Sequence, residues 1–537
     1  MKKYLRPKQS IPVVTGIIIL SVLFGVAYSN WMAPATENLY KKMSIFNTVL
    51  RTIEHNYVEK KDPIALIDDA IRGMVKNLDP HTNYMTAEEV KKWNVDFKGY
   101  SGIGIRFDII NNKITVMSVL PNGPSEKLGF RAGDRIIKIN GESAIGIKRD
   151  DVPKKLMGPA GTTVDVTIER ETWGKPKDFT IIRKKIQVDS IPIALKLDNK
   201  VGYVKIDRFS ATTGRELEES LTKLESQGID RLILDLRGNS GGYLQMAVEV
   251  SEKFLPEKKM IVYTKGRIPQ AYREYYSTGT AKHRTYPLIV LINHSSASAS
   301  EIVSGAIQDW DRGLIVGQTS FGKGLVQTQY PLADGSVLMI TTARYYTPSG
   351  RLIQRDYENK SYEDYIKEAY NDTLRQKELK DLPKFKTFAG RTVYGGGGIN
   401  PDFWMKDKTP APSEFVMKLF IDPNRYLYSY SEELLRNHPE IKEMTPKQFP
   451  NEFKISEAEI KGFANFVMKK GYKAKLDDFI KGSKDFKYLL KREIAYRLWK
   501  TEGQFYVNYQ RDTVLKKAKD LFPDAEKLLA ASTLKIK

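Results

Sequence analysis

The pattern of apolar and polar positions divides the chain into four stretches. Between residues 36 and 95, apolar residues recur at helical spacing in two sets, and the Asp-Pro-His sequence at 79–81 ends the second set because the residue before a proline avoids the helical conformation. Between residues 100 and 182, short alternating runs separated by glycine-rich turns predict β-strands. Between residues 201 and 347, apolar runs of strand length alternate with amphipathic helices, and beyond Pro410 the pattern is helical again. Buried strands that alternate with helices indicate an α/β core in the third stretch.

The N-terminal segment has the features of an export signal. An apolar run from Ile11 to Ala27 is preceded by four basic residues, Lys2, Lys3, Arg6 and Lys8. Such a basic flank stays in the cytoplasm while the chain that follows is exported. The run is just long enough to span a bilayer, which favours a retained signal anchor, whereas the Ala-Tyr-Ser sequence at 27–29 matches the pattern of a cleaved signal peptide. We therefore expect the chain on the periplasmic side of the inner membrane, either anchored there or free in the periplasm.

The composition excludes several kinds of catalytic and metal-binding site. The chain has 537 residues, of which 41% are hydrophobic and 28% are charged, as in a globular protein of several domains. It has no cysteine, which excludes disulfides, cysteine metal sites and a cysteine nucleophile. Its five histidines are scattered, and no two stand at the i, i+4 spacing of a helical zinc site. We therefore predict no metal and no cofactor.

The formal net charge of +21 is compatible with nucleic acid, with an anionic membrane surface or with a solvated protein surface. Much of the excess lies in the last hundred residues, where lysines alternate with apolar residues at helical spacing. This arrangement is typical of a solvated helix face. Because an exported chain is separated from nucleic acid, we predict no nucleic-acid partner, and a membrane contact only through the N-terminal segment.

The strand-rich stretch carries two glycine motifs, Gly-Ile-Gly-Ile at 102–105 and Ala-Gly-Asp-Arg-Ile-Ile-Lys-Ile-Asn-Gly at 132–141. Together they resemble a PDZ domain, in which the first motif forms the carboxylate-binding loop. The resemblance implies that the tail-binding residues are Gly102, Ile103, Gly104 and Ile105. A glycine-rich turn exposes successive N–H groups to a terminal carboxylate, and the neighbouring strand edge adds the ligand as one more strand. The alternative is a small β domain that only packs on its neighbour.

A serine-rich turn stands between a buried strand and a helix. Residues 295–302 read Ser-Ser-Ala-Ser-Ala-Ser-Glu-Ile. A strand-to-helix turn exposes a side chain, and the helix N-terminus offers free N–H groups, so a nucleophile here would lie beside an oxyanion site. Taken alone, such a turn is more typical of a helix N-cap.

A lysine in a small, apolar setting follows. Residues 317–327 read Gly-Gln-Thr-Ser-Phe-Gly-Lys-Gly-Leu-Val-Gln, with the lysine at 323. Burial disfavours the charged form of a lysine, so such an amine can lose its proton near neutral pH. A neutral amine can then accept the proton of a serine hydroxyl.

These two blocks together resemble the carboxyl-terminal processing peptidases, also called tail-specific proteases. That family reads Ser-Ala-Ser-Ala-Ser-Glu and then Thr-Phe-Gly-Lys-Gly-x-Val-Gln, and this chain differs only in having Ser320 in place of the threonine. The resemblance implies that Ser298 is the nucleophile and Lys323 the general base. It also implies that Gln327 orients the lysine.

Three further segments fit the same family. Residues 234–242 look like its Leu-Asp-Leu-Arg-x-Asn-x-Gly-Gly motif, which implies that Gly241 or Gly242 supplies one oxyanion donor and the Ala299 N–H the other. Residues 78–82 and 397–402 resemble the N-terminal helical region and the end of the protease domain. One departure is Met157, where many relatives have an arginine, and this puts a coupling of the PDZ domain to the active site through that arginine in question.

The resemblance implies a fold and a set of partners. We expect an α/β protease core of the ClpP/crotonase-like type with an inserted PDZ domain, an N-terminal helical region and a C-terminal helical extension. The corresponding boundaries are 1–35 for the signal segment, 36–98 for the helical region, 99–183 for the PDZ domain, 184–405 for the core and 406–537 for the extension. The implied substrates are proteins with exposed C-terminal tails, and a homo-oligomer is compatible with the family.

Two other classes of enzyme, P-loop nucleotide hydrolases and Ser-His-Asp hydrolases, fit the sequence less well. The segment from Gly317 to Lys323 has part of a nucleotide-binding P-loop, but Gly324 stands where that loop needs a serine or threonine to hold magnesium, and a strand rather than a helix follows. A Ser-His-Asp triad would require His294, which lies only four residues before Ser298 on the strand leading into the turn.

The alternative from another class is a non-catalytic PDZ scaffold or holdase on an inactive protease fold. An inactive relative need not retain the full set of catalytic residues. This chain has Ser298, Lys323 and Gln327, which favours an active serine endopeptidase.

The N-terminal pattern predicts that the apolar segment is retained as an anchor. Intact-mass measurement of the native protein should therefore give the mass of a chain that still contains residues 11–27. A mature N-terminus near Asn30 would instead identify a removed signal peptide and a protein free in the periplasm.

Overall fold

The computed structural model describes residues 38–98, 100–120, 123–186, 188–198, 200–280, 283–409 and 411–536. The chain divides into two compact units, Met1–Thr86 and Ala87–Lys537. The proposed signal segment, 1–35, lies outside the described residues. None of the helices formed by the described residues combines the length and the hydrophobicity needed to cross a membrane.

The described part of the first unit is mainly helical. Residues 38–56 and Pro63–Lys76 form helices, and Asn83–Met85 forms a short strand. Asp62 caps the second helix by accepting a hydrogen bond from the Ile64 N–H at 2.9 Å, and the proline that follows suits the first helical position. The helical pattern of the sequence is thus found here, whereas the strand had no signal of its own.

Residues 100–186 form a β domain. Its six-stranded antiparallel sheet consists of Ile105–Ile110, Lys113–Val119, Arg135–Ile139, Glu142–Ser143, Thr163–Glu169 and Lys177–Ile182. Two short helices, Pro124–Lys127 and Asp151–Leu156, accompany the sheet, and Tyr100–Gly102 pairs with Lys184–Ile186 where the chain enters and leaves. Val164, Val166 and Ile168 are buried, as their alternation in the sequence predicts.

The sheet of the α/β core, here called the large sheet, begins after this domain and contains mostly parallel strands. Its order is Ile193–Lys196, Val201–Lys205, Arg231–Asp235, Leu288–Ile292, Leu314–Gly317 and Phe403–Trp404, with only the first strand antiparallel to its neighbour. One face packs on the helices Thr213–Ser226, Leu244–Glu252 and Ala299–Asp309. The central strands read as continuous apolar runs because both faces of the sheet are covered.

A second, antiparallel sheet combines two strands that precede the serine turn with two that follow the lysine segment. Within this unit it contains Leu325–Pro331, Val337–Tyr346, Met260–Lys265 and Arg273–Tyr276. The chain then forms the helices Tyr362–Ala369 and Asp372–Glu378 and the hairpin Lys384–Lys386 with Thr392–Tyr394. The first of these helices contributes Tyr365 to an apolar cluster that also contains Ala297 and Phe321, so it packs beside both the serine turn and the lysine segment.

The C-terminal extension contains two groups of helices. The first group comprises Glu414–Ile421, Tyr426–Asn437, Phe449–Glu452, Glu457–Lys469, Leu476–Lys481 and Ser483–Tyr509, with the 3₁₀ helix Pro439–Glu443. These helices enclose an apolar core of their own. The second group, Thr513–Asp520 and Phe522–Ile536, covers the other face of the large sheet with side chains that include Leu515 and Phe522. The last helices therefore complete the α/β core.

Candidate active site

Ser298 lies in the turn between the strand Leu288–Ile292 and the helix Ala299–Asp309. Its backbone has φ 55° and ψ −112°, a conformation that residues other than glycine rarely adopt. Such strain persists only where the surroundings fix the chain. The side chain is half-buried at the N-terminus of the helix.

Glu301 fixes this turn and is fully buried. Its Oε2 accepts hydrogen bonds from the Ser298 N–H at 2.8 Å and from the Lys323 N–H at 2.9 Å. Its Oε1 accepts from the Ser320 hydroxyl at 2.5 Å and from the Gly322 N–H at 2.7 Å. One carboxylate therefore joins the serine turn to the lysine segment.

Burial and hydrogen bonding have opposite effects on the pKa of this carboxylate. Burial raises the pKa of Glu301, while its hydrogen bonds to Ser320, Lys323, Ser298 and Gly322 oppose the rise. Sequence reasoning assigned Glu301 no role. Its position three residues after Ser298, as in a capping box, was the available signal.

Tyr345 makes a second connection between the same two segments. Its hydroxyl lies 3.1 Å from the Ser298 carbonyl and also donates to the Lys323 carbonyl. Burial raises the pKa of Tyr345, which keeps the hydroxyl protonated and able to donate. No feature of the sequence indicated this residue, which lies on the strand Val337–Tyr346.

Ser298 and Lys323 line one cavity of about 250 Å³. Both side chains are half-buried. The cavity is also lined by Trp93, Gly241, Gly242, Leu244, Ile302, Leu325, Gln327, Met339 and Tyr345. Ser240, Tyr243, Val326 and Gln329 complete the lining, which is of mixed polarity. The structure thus brings the predicted nucleophile and the predicted base to one concave site.

Gln327 lines this cavity from the strand Leu325–Pro331, at a β-bulge between Val326 and Gln327. Its Nε2 donates to the hydroxyl of Thr341 at 3.2 Å. This contact fixes the amide beside the site. The orienting of Lys323 by this side chain stays a prediction.

The two candidate glycines differ in how their N–H groups are used. The Gly241 N–H donates to Oδ1 of Asn239 at 2.8 Å. The N–H groups of Gly242 and Ala299, by contrast, have no hydrogen-bond partner among the residues that the structure describes. The absence of a side chain at Gly241 leaves room for Ser298, because a Cβ at Gly241 would lie 2.9 Å from the Cβ of Ser298. The geometry favours Gly242 and Ala299 as the oxyanion donors.

The predicted carboxylate-binding loop lies at the edge of the β domain. Gly104 has φ 76°, which glycine adopts without strain. The N–H groups of Ile103 and Gly104 have no hydrogen-bond partner within the described chain, while the carbonyl groups of both residues accept hydrogen bonds. Ile105 begins an edge strand, and a methionine, Met157, lies close to Gly102.

His294 does not contact Ser298 in a triad. Its Nε2 lies 2.8 Å from Oδ1 of Asp372, and its Nδ1 lies 3.1 Å from the Thr319 carbonyl. Burial lowers the pKa of this histidine. Among the described residues, no cluster of three or more His, Asp or Glu side chains is arranged to hold a metal ion.

Comparison with known proteins gives three matching segments. Residues 200–359 match peptidase family S41, residues 115–170 match the PDZ domain, and residues 28–89 match the N-terminal domain of the activating protease CtpB. These matches cover the two catalytic motifs and the second glycine motif of the β domain.

Individual relatives extend over longer parts of the chain. A carboxy-terminal-processing protease of Bartonella bacilliformis is 39% identical over 323 residues, which are 59% of this chain and 74% of the relative. A probable CtpA-like serine protease of Staphylococcus aureus is 32% identical over 392 residues, which are 72% of this chain and 77% of the relative. Among solved structures, the photosystem II D1 C-terminal processing protease is 26% identical with a TM-score of 0.35, over 68% of this chain and 88% of its own.

Proposed function

Because the chain belongs to peptidase family S41, with the carboxy-terminal-processing proteases, we propose that it is an endopeptidase in which Ser298 attacks the substrate and Lys323 is the general base. The chain is a serine-type peptidase by family. The observation that carries the assignment of the dyad is that both side chains line one cavity while Glu301 accepts hydrogen bonds from both backbones.

The proposed reaction has two halves. The neutral amine of Lys323 takes the proton of the Ser298 hydroxyl while Oγ bonds to the scissile carbonyl carbon. The N–H groups of Gly242 and Ala299 stabilise the oxyanion, and the lysine ammonium gives its proton to the leaving amine as the peptide bond breaks. Water then attacks the acyl-enzyme, Lys323 takes a proton from that water, and Ser298 recovers its hydrogen as the acid product leaves.

The apolar part of the cavity lining supports a preference for substrates that have apolar residues next to the cleaved bond. Leu244, Ile302 and Met339 present apolar surface beside Ser298. Burying an apolar side chain against such surface is favourable by roughly 25 cal/mol per Å² of area removed from water. We infer that peptides are cut next to small or medium-sized apolar residues.

The β domain supports recognition of C-terminal tails. The N–H groups of Ile103 and Gly104 are available to a terminal carboxylate, and the edge strand Ile105–Ile110 is available to pair with the residues before it. We infer that the domain holds the tail of an exported protein while the cavity cuts the chain. The non-catalytic scaffold or holdase is the alternative that the activity measurements below address.

Location and fold type are part of the same proposal. The basic flank and apolar run of the N-terminus support an enzyme at the periplasmic side of the inner membrane, which the intact-mass measurement addresses. The mostly parallel six-stranded sheet with Ser298 at a strand-to-helix turn supports a ClpP/crotonase-like core. Superposition of an experimental structure on that fold tests this assignment.

We predict that Ser298→Ala and Lys323→Ala each lower kcat by about a thousandfold or more, with the fold intact. The double variant should be no worse than either single one, because the two residues act as a unit. Lys323→Arg should be equally inactive, since an arginine keeps its charge and cannot accept the proton. The measurement is cleavage of a denatured protein and of a fluorogenic peptide.

Ser295→Ala is the matched control for this experiment. Ser295 lies in the same turn, and its hydroxyl is 3.4 Å from that of Tyr370. The control should cleave at the wild-type rate. Substantial activity in Lys323→Ala would rule out the dyad, and a folded wild-type protein that cleaves nothing would favour the scaffold alternative.

We also predict that peptides with a free C-terminal carboxylate are cut with a kcat/KM about tenfold or more above that of the same peptides amidated, because hydrogen bonds to a charged group are lost on amidation. Gly104→Ala should remove this preference. A Cβ at Gly104 would lie 3.2 Å from Gly123 Cα and Pro124 Cδ, and the φ of 76° would be strained.

Gly146→Ala is the control for the loop. Gly146 has a similar φ of 80°, but a Cβ there meets no atom within 4 Å. This variant should keep the preference for the free carboxylate. If the wild-type protein cuts the acid and the amide peptides at equal rates, the β domain does not recognise the terminal carboxylate.

A further inference from the structure

An ion cluster stands at the end of the central strand Arg231–Asp235. The Arg237 guanidinium donates to Oδ2 of Asp235 at 2.6 Å. It also donates to both oxygens of Asp512, at 3.0 and 2.7 Å. The Arg237 side chain is only 16% exposed, so the cluster is largely shielded from solvent. Charge-assisted, two-pronged contacts of this kind fix position as well as contribute energy.

Asp512 comes from the C-terminal extension, 275 residues after Arg237. It is the N-cap of the helix Thr513–Asp520 and accepts a hydrogen bond from the Leu515 N–H at 2.8 Å. This helix packs on the large sheet. Asp512 therefore ties the start of a packed helix to the guanidinium of Arg237.

The loop that follows Arg237 leads directly to the oxyanion site. The Gly238 N–H donates to Oδ1 of Asn293 at 3.0 Å, and the Asn239 carbonyl accepts from the Ala297 N–H at 3.0 Å. Asn239 also accepts from the Gly241 N–H. These bonds fix the loop between Arg237 and Gly242 to the segment that carries Ser298, and only four residues separate Arg237 from Gly242.

From this connection we propose that Asp512 is a positioning residue for the oxyanion loop, and that the C-terminal extension is thereby part of the active site. The inference rests on the proposed function, in which the Gly242 N–H stabilises the oxyanion. With Asp512 uncharged, Arg237 keeps one carboxylate partner instead of two, and its side chain is no longer held from the extension side. Displacement of a reacting or stabilising group by about 1 Å can cost about a hundredfold in rate.

A purely structural role for Asp512, as a helix cap, is the competing explanation. Asn caps helices about as well as Asp, so Asp512→Asn keeps the cap while it removes the charge. Arg237→Lys is a second variant, which keeps a cation between the two carboxylates but cannot bind either of them in two-pronged fashion.

Asp198→Asn is the matched control. Asp198 also accepts hydrogen bonds from backbone N–H groups, those of Lys200 and Val201, both at 3.0 Å. Its other oxygen lies 2.7 Å from Nζ of Lys519, on the same helix Thr513–Asp520. This pair joins the same helix to the core but makes no contact with the oxyanion loop.

The experiment measures three quantities for full-length wild type, Asp512→Asn, Arg237→Lys and Asp198→Asn. They are kcat and KM for a fluorogenic peptide with a free C-terminal carboxylate, and the affinity for a peptide boronic acid, whose tetrahedral adduct on Ser298 needs the oxyanion donors. Thermal unfolding of each variant reports its fold.

We expect Asp512→Asn and Arg237→Lys to lower kcat by about tenfold to a hundredfold, to weaken the boronic acid by a similar factor and to leave KM within about twofold. Asp198→Asn should leave all three quantities near those of wild type. Wild-type kcat in Asp512→Asn, or equal losses in Asp512→Asn and Asp198→Asn, would overturn the inference. Ser298→Ala is measured in parallel, so a failure of the proposed protease, seen as cleavage that does not depend on Ser298, is distinguished from a failure of this inference alone.

Discussion

The arrangement of the candidate active site depends on one buried carboxylate. Glu301 accepts hydrogen bonds from the backbones of Ser298 and Lys323, which belong to separate motifs on either side of the helix Ala299–Asp309 and the strand Leu314–Gly317. A buried carboxylate is costly unless its oxygens are paired, and here four donors pair them. The cost of leaving these donors and this charge unpaired opposes any arrangement in which the two motifs separate. The strained backbone of Ser298 is held by the same contacts.

The large sheet connects the turn that contains Ser298 to the rest of the second unit. One face packs on the helix that follows Ser298, and the other packs on the last two helices of the chain. The extension also reaches the β domain, where Arg425 donates to Oδ2 of Asp108 at 2.6 Å and the Tyr496 hydroxyl donates to that of Ser118 at 2.9 Å. The C-terminal extension thus contacts both the proposed tail-binding domain and Arg237, which precedes the loop of the proposed oxyanion site.

The parts of the site that are encoded locally could be predicted from the sequence. The residue types around Ser298 and Lys323 predicted a nucleophile and a base, which the structure places in one cavity, and the alternation of apolar strands with helices predicted the α/β core. The choice between Gly241 and Gly242 could not be made in this way, because adjacent glycines look alike until the partner of each N–H is known. Glu301 had only the weak signal of a capping position.

Long-range contacts account for what the sequence did not reveal. Tyr345 and Asp512 occupy an ordinary strand and an ordinary helix cap. Only the folded chain brings Tyr345 to Ser298 and Asp512 to Arg237. The helical pattern of the extension predicted helices, but a periodic pattern does not say which surface its apolar face will cover. The second face of the sheet was therefore recognised as covered by Leu515 and Phe522 only in the structure.

The most direct test of this account is the rate at which a fluorophosphonate modifies Ser298 in Glu301→Gln, with the site of modification located by mass spectrometry. Glu363→Gln, which changes an exposed glutamate paired with Lys367, is the control. If the carboxylate holds the two motifs together, Glu301→Gln should stay folded by circular dichroism but react at Ser298 at least about tenfold more slowly than wild type and the control, although Ser298 and Lys323 are both present. A folded Glu301→Gln protein that is modified at Ser298 at the wild-type rate would contradict the account.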